Sequence, residues 1–375
     1  MAASLNPLRC DGTDLPVNLL LCAKLIALTL LVTNHVRLLT DPFLPFLPIL
    51  DRIPHALFQR TVQVVFVASA VALLFNRRVR LSSLILGATI LLSVVASKAY
   101  YGNNKTFCGC ILFLTGLYQP GQKPWMLRWQ LVIVYLGAGL NKLLDGDWRS
   151  GVFFENWAVR RLHQPVYMLI SNWLPPMLLA RVMSWMAIAT ELGMSVAFSV
   201  RTLYPYGIWA SLLFHSGMLF FTGTTFTMFF YAMSAAMLVF VDWPTTPLTV
   251  VYDGDCGLCN SARRWMERFD LEGTFHWTPF PSGDAGDRVQ LLDGDKIYSG
   301  YAAFKMMLLY NPAAYLITAA VLAAPRSAVS TFRMVVVAVL LALFLPPFDP
   351  VGQALYDLVA RNRRRLSGKG ACAVE

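Results

Sequence analysis

Charge is scarce in this chain: Asp, Glu, Lys and Arg make up 14% of 375 residues, against 57% hydrophobic. That balance excludes an ordinary soluble protein and points to a polytopic membrane protein. A secreted disulfide framework is missing too. Of seven cysteines, Cys10, Cys22 and Cys372 are scattered, while Cys108-Gly109-Cys110 and the Cys256/Cys259 pair are local. One Cys-x-x-Cys stands without a second pair or any His-x-x-x-His, so structural zinc, its rival reading, lacks ligands and no metal is expected. No small-residue cleavage site follows the first apolar run, 17–39, which is therefore expected to remain as the first helix. Acidic residues are outnumbered 21 to 31, giving a formal charge of +10. The excess sits in short groups beside apolar runs, Arg77-Arg78-Val79-Arg80 and Arg361-Asn362-Arg363-Arg364-Arg365. Cytoplasmic flanks collect such cations and anionic headgroups attract them, so topology explains the charge and no nucleic-acid partner is expected.

What is present is a series of apolar runs at 17–39, 57–75, 80–98, 107–118, 127–144, 174–200, 204–221 and 225–242. Judged against a hydrocarbon core that needs about 20 helical residues, these predict a bundle of about eight spans. The run 107–118 is short enough to be re-entrant or broken. With the N-terminus inside, the Arg77–Arg80 loop, the Lys123/Arg128 loop, Arg201 and everything after 242 fall on the cytoplasmic side of an inner membrane. The segment Asp145–Trp173 then lies outside, where Trp148, Trp157, Tyr167 and Trp173 suit an interfacial belt.

After a polar hinge at 243–247 the composition changes to that of a small α/β unit. The expected domains are a bundle over 1–243 and a redox unit over 244–375. Val250 to Tyr252 reads as a strand, Ser261 to Phe269 as a helix and Thr274 to Pro279 as a second strand. Arg288 to Leu292 and Lys296 to Ser299 read as a hairpin around Asp293-Gly294-Asp295, followed by a helix from Tyr301 to Leu309. This is thioredoxin-like order. Two later apolar runs, Ala313–Ala324 and Met334–Leu345, are short for spans. Arg326 and Arg333 between them favour docking on the membrane face over crossing as a pair.

Cys256 ends the turn between the first strand and the first helix of this unit. That order aims free N–H groups and the positive end of the helix at its sulfur, which makes the cysteine a nucleophile. Cys259 can close on it, so the chemistry implied is thiol/disulfide exchange, with Cys256 attacking and Cys259 resolving. Arg263, with Arg264, adds positive potential one turn into the helix, and Asp255 opposes it.

Asp253-Gly254-Asp255-Cys256-x-x-Cys259 after an apolar strand resembles the DCC family of thiol-disulfide oxidoreductases. So do the Asp293-Gly294 hairpin with Gly300 and Ala302-Ala303, and Tyr356 to Arg363 with Leu366-Ser367-Gly368 and Cys372. The resemblance covers residues 248–375 and implies a thioredoxin-like redox module with Asp253 in its motif. One departure concerns substrate grip: no proline stands immediately before the Arg288 strand, where thioredoxins place a cis-proline.

In the bundle, the stretch from Tyr135 to Gly151 holds Ala138-Gly139, Lys142-Leu143 and then Asp147-Trp148. A lysine there can simply snorkel to the interface. The pattern resembles the HTTM membrane domain shared with vitamin K-dependent γ-carboxylases, over about residues 15–242. On that resemblance Lys142 matches the lysine proposed as catalytic base, a role open to a desolvated amine. Glu191, His215 and His35 are polar groups in or near apolar spans, where they are costly and face a bundle interior or a pathway. Glu191 and His215 can pair as a proton relay near Lys142, or hold helices together as a buried pair. Cys108-Gly109-Cys110 is either a packing element or a partner for a quinone. His163 and His276 lie outside the spans.

The expected fold is thus a polytopic α-helical membrane bundle plus a small thioredoxin-like α/β domain. The expected function is membrane-bound thiol/disulfide oxidoreduction, with a thiol protein or peptide as substrate and a quinone or lipid held by the bundle. In a bacterial cytoplasm the pair rests reduced and donates electrons. Two other functions stay open: a carboxylase-like bundle enzyme based on Lys142, and a non-enzymatic role in peptide processing or immunity.

Overall fold

The computed structural model describes residues 7–10, 13–33, 35, 43, 45–46, 48–222, 226–241, 247–270, 273–280, 288–322 and 345–366. Their contacts divide the chain into two units, Met1–Arg201 with Phe214–Phe240 and Thr202–Leu213 with Val241–Glu375.

Each of the eight apolar runs contains a helix among the described residues: α1 (Val17–Val32), α2 (His55–Leu74), α3 (Val79–Ala96), α4 (Asn103–Leu117) and α5 (Trp125–Leu144) come first. Short helices α6 (Gly146–Ser150), α7 (Val152–Glu155) and α8 (Pro165–Ser171) occupy the expected interfacial segment, with a π-helical turn at Asn156–Arg161. Next come α9 (Leu178–Ser199), α10 (Tyr204–Thr222) and α11 (Thr227–Ala236), which tightens into a 3-10 turn at Met237–Phe240. Among the described residues, α2, α3 and α9 are long and apolar enough to cross a membrane, while α1 and the α11 segment are apolar but shorter. Large apolar side chains such as Val64, Ile133 and Val196 stay exposed on the outside of these helices, as a lipid-facing surface requires.

Close approach of α3 and α4 depends on small residues. A Cβ on Gly87 would run into the Phe113 backbone, and one on Gly116 into Leu84. Between them the Ser83 hydroxyl donates to the Leu112 carbonyl at 2.7 Å. Gly109 packs against Leu91 and Ile90, and Cys108 is buried. This favours the packing reading of Cys108-Gly109-Cys110, although Cys110 keeps some exposure. A feature the sequence reading missed is Lys24, fully buried on α1. Its Nζ donates to the carbonyls of Pro7, Arg9 and Leu74 at 2.9, 2.6 and 2.8 Å. One ammonium thereby satisfies the last carbonyl of α2, which apolar surroundings would leave unpaired.

The second unit contains a four-stranded sheet in the order β2-β1-β3-β4, built from β1 (Leu248–Tyr252), β2 (Phe275–Pro279), β3 (Gln290–Asp293) and β4 (Lys296–Ser299). α12 (Gly257–Phe269) carries the chain from β1 to its parallel neighbour β2. β3 returns antiparallel to β1 and pairs antiparallel with β4, turning at Gly294, whose φ of 58° suits a two-residue hairpin. α13 (Tyr301–Leu309), α14 (Pro312–Leu322) and α15 (Asp349–Leu366) follow. Leu248, Val250, Phe275 and Leu291 from the strands and Ala303 and Met307 from α13 form the core. The order and directions are thioredoxin-like, as expected. α12 starts four residues earlier than the sequence reading placed it, because Cys256 itself caps the helix. The hinge, apart from Pro247, and the Met334–Leu345 run, apart from Leu345, lie outside the described residues, as does Cys372.

Candidate functional site

Alternate burial along Leu248–Tyr252 sets Val250 into the core and delivers Asp253 to Cys256 at the end of β1. The turn is closed by its own polar groups. Asp253 Oδ1 accepts from the Asp255 amide at 3.1 Å, and the Asp253 carbonyl accepts from the Cys256 amide at 3.3 Å. Asn260 reaches back from α12 to donate to the Gly254 carbonyl at 2.7 Å, a brace that the sequence reading did not single out. Cys256 has extended backbone, φ −88° and ψ 114°, and its sulfur accepts the Cys259 amide at 3.4 Å. The sulfur takes the place that a serine or aspartate oxygen occupies at other helix starts, facing the end of the helix that attracts anions.

Cys256 is buried, 8% exposed, while Cys259, one turn on, is the more open of the two. Arg263 is engaged elsewhere than expected: its guanidinium donates to the Tyr252 hydroxyl at 2.5 Å, pairs with Glu267 at 3.2 Å and lies over the Tyr252 ring. Glu267 offsets its charge, so Arg263 braces the strand–helix junction. Arg264 is exposed and bonds Ser261. Asp255 is exposed.

Beside the turn, an apolar cavity of about 460 Å³ opens between α12, the sheet, α13 and α15. Cys259 forms part of its wall, with Tyr252, Ala262, Trp277, Phe304 and Leu355 among the others. Gly352 permits α15 to close this side, because a Cβ there would overlap the Tyr301 ring. No signal in the sequence announced the cavity, since its walls come from separate elements.

In the bundle unit, Lys142 and Glu191 meet: Nζ lies 2.8 and 2.7 Å from the two carboxylate oxygens and 5.1 Å from the centre of the Trp148 ring. Gly139 permits this approach of α5 and α9, since a Cβ there would sit 2.8 Å from Leu192. Glu191 is thus paired with Lys142 and not with His215, against the expected relay. The His215 ring instead bonds the Tyr135 hydroxyl at 2.8 Å inside a cluster with Phe198, Phe214, Phe226 and Phe229. His35 bonds Thr33 at the end of α1, while His163 and His276 are exposed. Among the described residues no group of three or more His, Cys, Asp or Glu side chains could hold a metal ion.

Apolar helices joined to a thioredoxin-like sheet define a membrane protein that carries a redox-type module. Comparison with protein families specifies the parts: residues 118–243 match the HTTM domain, and residues 250–369 match the DCC1-like thiol-disulfide oxidoreductases. The HTTM match begins at residue 118, so the resemblance read over 15–117 lies outside it. No curated protein and no solved structure matches the chain.

Proposed function

We propose that the chain is a membrane-bound thiol-disulfide oxidoreductase in which Cys256 attacks and Cys259 resolves. The observation that carries this is the Cys256 sulfur at the start of α12, accepting the Cys259 amide. The thiolate of Cys256 attacks a substrate disulfide, forming a mixed disulfide and releasing one substrate thiol. Cys259 then attacks the Cys256 sulfur, closing the intramolecular disulfide and releasing the second thiol. The positive-inside distribution of Lys and Arg supports an inner-membrane location with the module on the cytoplasmic side, where a dithiol rests reduced and donates electrons to a protein or peptide. The test is reduction of a disulfide-bonded peptide by the purified full chain. Activity falls to background in Cys256→Ser, and Cys259→Ser stalls as a mixed disulfide. Undiminished activity in Cys256→Ser would refute the assignment.

A second reading is favoured by the Lys142–Glu191 contact, in which a carboxylate stands within proton-transfer distance of an amine. The bundle would then be the catalyst and Lys142 its base, with Glu191 exchanging the proton. Loss of cellular function in the double variant Lys142→Met/Glu191→Leu, in which no unpaired charge is left buried, with the thiol chemistry intact, would select it.

A further inference from the structure

We propose that the cavity beside Cys259 is the binding site of a lipid-soluble quinone that accepts the electrons of the Cys256/Cys259 dithiol. The inference rests on the thiol chemistry proposed above and adds a second electron acceptor for the same dithiol, alternative to a substrate disulfide; the carrier then sits in the redox module and not in the bundle.

The volume of about 460 Å³ is that of a small-molecule site, and nearly all of the lining is apolar. A peptide laid there would bury backbone N–H and C=O groups against walls that offer few polar partners, which is costly. An apolar ring has no such cost. Tyr252, Trp277 and Phe304 supply aromatic surface for it. Cys259 belongs to the same wall, so a ligand able to react with a thiol as well as fit is favoured. Quinones combine apolar character, a ring of this size and two-electron reactivity toward thiols.

A route from lipid is present on α15. Val351, Leu355, Leu358 and Val359 are exposed on that helix, at spacings of four, three and one residues that place them on one side. Leu355 and Val359 also line the cavity. The same helix runs into Arg361 and the arginines at 363–365. An exposed apolar stripe with a basic end is the form of a helix that lies in an anionic membrane interface.

The step balances. The Cys259 sulfur adds to a ring carbon, forming a C–S bond and leaving the ring as its enolate. The Cys256 thiolate then attacks the Cys259 sulfur; the S–S bond forms as the C–S bond breaks, and the departing electron pair leaves with the ring. The two protons of the thiols complete the hydroquinone, so one dithiol and one quinone yield one disulfide and one hydroquinone. Cys259 is the sulfur that meets the ring, because it is the one in the wall.

The test uses the full chain in lipid nanodiscs, reduced, freed of reductant and mixed with a short-chain ubiquinone. Hydroquinone is read by absorbance, and thiols are counted by mass spectrometry. The expected result is one hydroquinone per dithiol lost. Ala262→Trp, which fills the cavity from α12, and Ala360→Trp, which fills it from α15, should each slow this reaction at least about tenfold relative to exchange with a soluble disulfide. Cys256→Ser should retain a quinone adduct on Cys259. A chain that exchanges with disulfides but yields no hydroquinone overturns the quinone inference and leaves the thiol chemistry standing. So does an equal loss of both reactions in the two filled variants, which would mark the cavity as part of a peptide site. A chain inert toward both reagents overturns the thiol reading itself, and this inference with it.

Discussion

Replacing Glu191 by leucine strands the Lys142 ammonium in apolar surroundings. The two groups are 2.7 Å apart, with side-chain exposures of 19% and 10%, so little water screens them. At an effective dielectric constant of about 20, such a contact is attractive by about 6 kcal/mol. Desolvating each ion costs several kcal/mol, which leaves the intact pair close to neutral in net stability. Removing one partner is a different perturbation, because the desolvation cost persists without the attraction, and losses of about 3–5 kcal/mol follow. The Trp148 ring, 5.1 Å from Nζ, retains some attraction for the cation and favours the lower end of that range. The assay is denaturant unfolding in detergent of Glu191→Leu, Lys142→Met and the double variant. Each single variant should lose about 3 kcal/mol, and the double variant should recover to within about 1 kcal/mol of the parent. Single losses under about 0.5 kcal/mol that simply add would refute the reasoning, since they would mean the pair is solvated and uncoupled.

Lys24→Met should destabilise the bundle by about 3 kcal/mol or more, because three carbonyls that now share one buried ammonium lose their donor; the same unfolding assay reads it. Asp270→Ala acts on the redox module. The Asp270 carboxylate accepts the Thr274 and Phe275 amides at 2.7 and 2.8 Å, so its loss should cost about 1–3 kcal/mol and raise hydrogen exchange at both amides about tenfold or more.

The redox module was legible because its determinants are local. The apolar run at 248–252, the Asp-Gly turn at 293–294 and the Cys-x-x-Cys spacing each specify their own element. The Cys256 cap was missed as a helix boundary because a sulfur is an unusual cap. The pairing of Glu191 was not legible. Glu191 and His215 each sit in an apolar helix, and nothing in either segment tells which neighbour the third dimension brings near. Gly139 decides it by bringing α5 and α9 together, so that Lys142 rather than His215 meets the carboxylate. Lys24 illustrates the same limit, since its acceptors come from residues as far away as Leu74. A basic residue in an apolar run reads as a snorkelling or functional group until the carbonyls it serves are seen.

The most direct test of the proposed chemistry is a redox titration of the purified full chain across buffers of defined thiol/disulfide potential, with alkylation and peptide mapping at each step. The expected result is a single two-electron transition in which Cys256 and Cys259 lose accessibility together and are recovered as one linked peptide. Independent titration of the two sulfurs, or linkage of either one to a different cysteine, would contradict it.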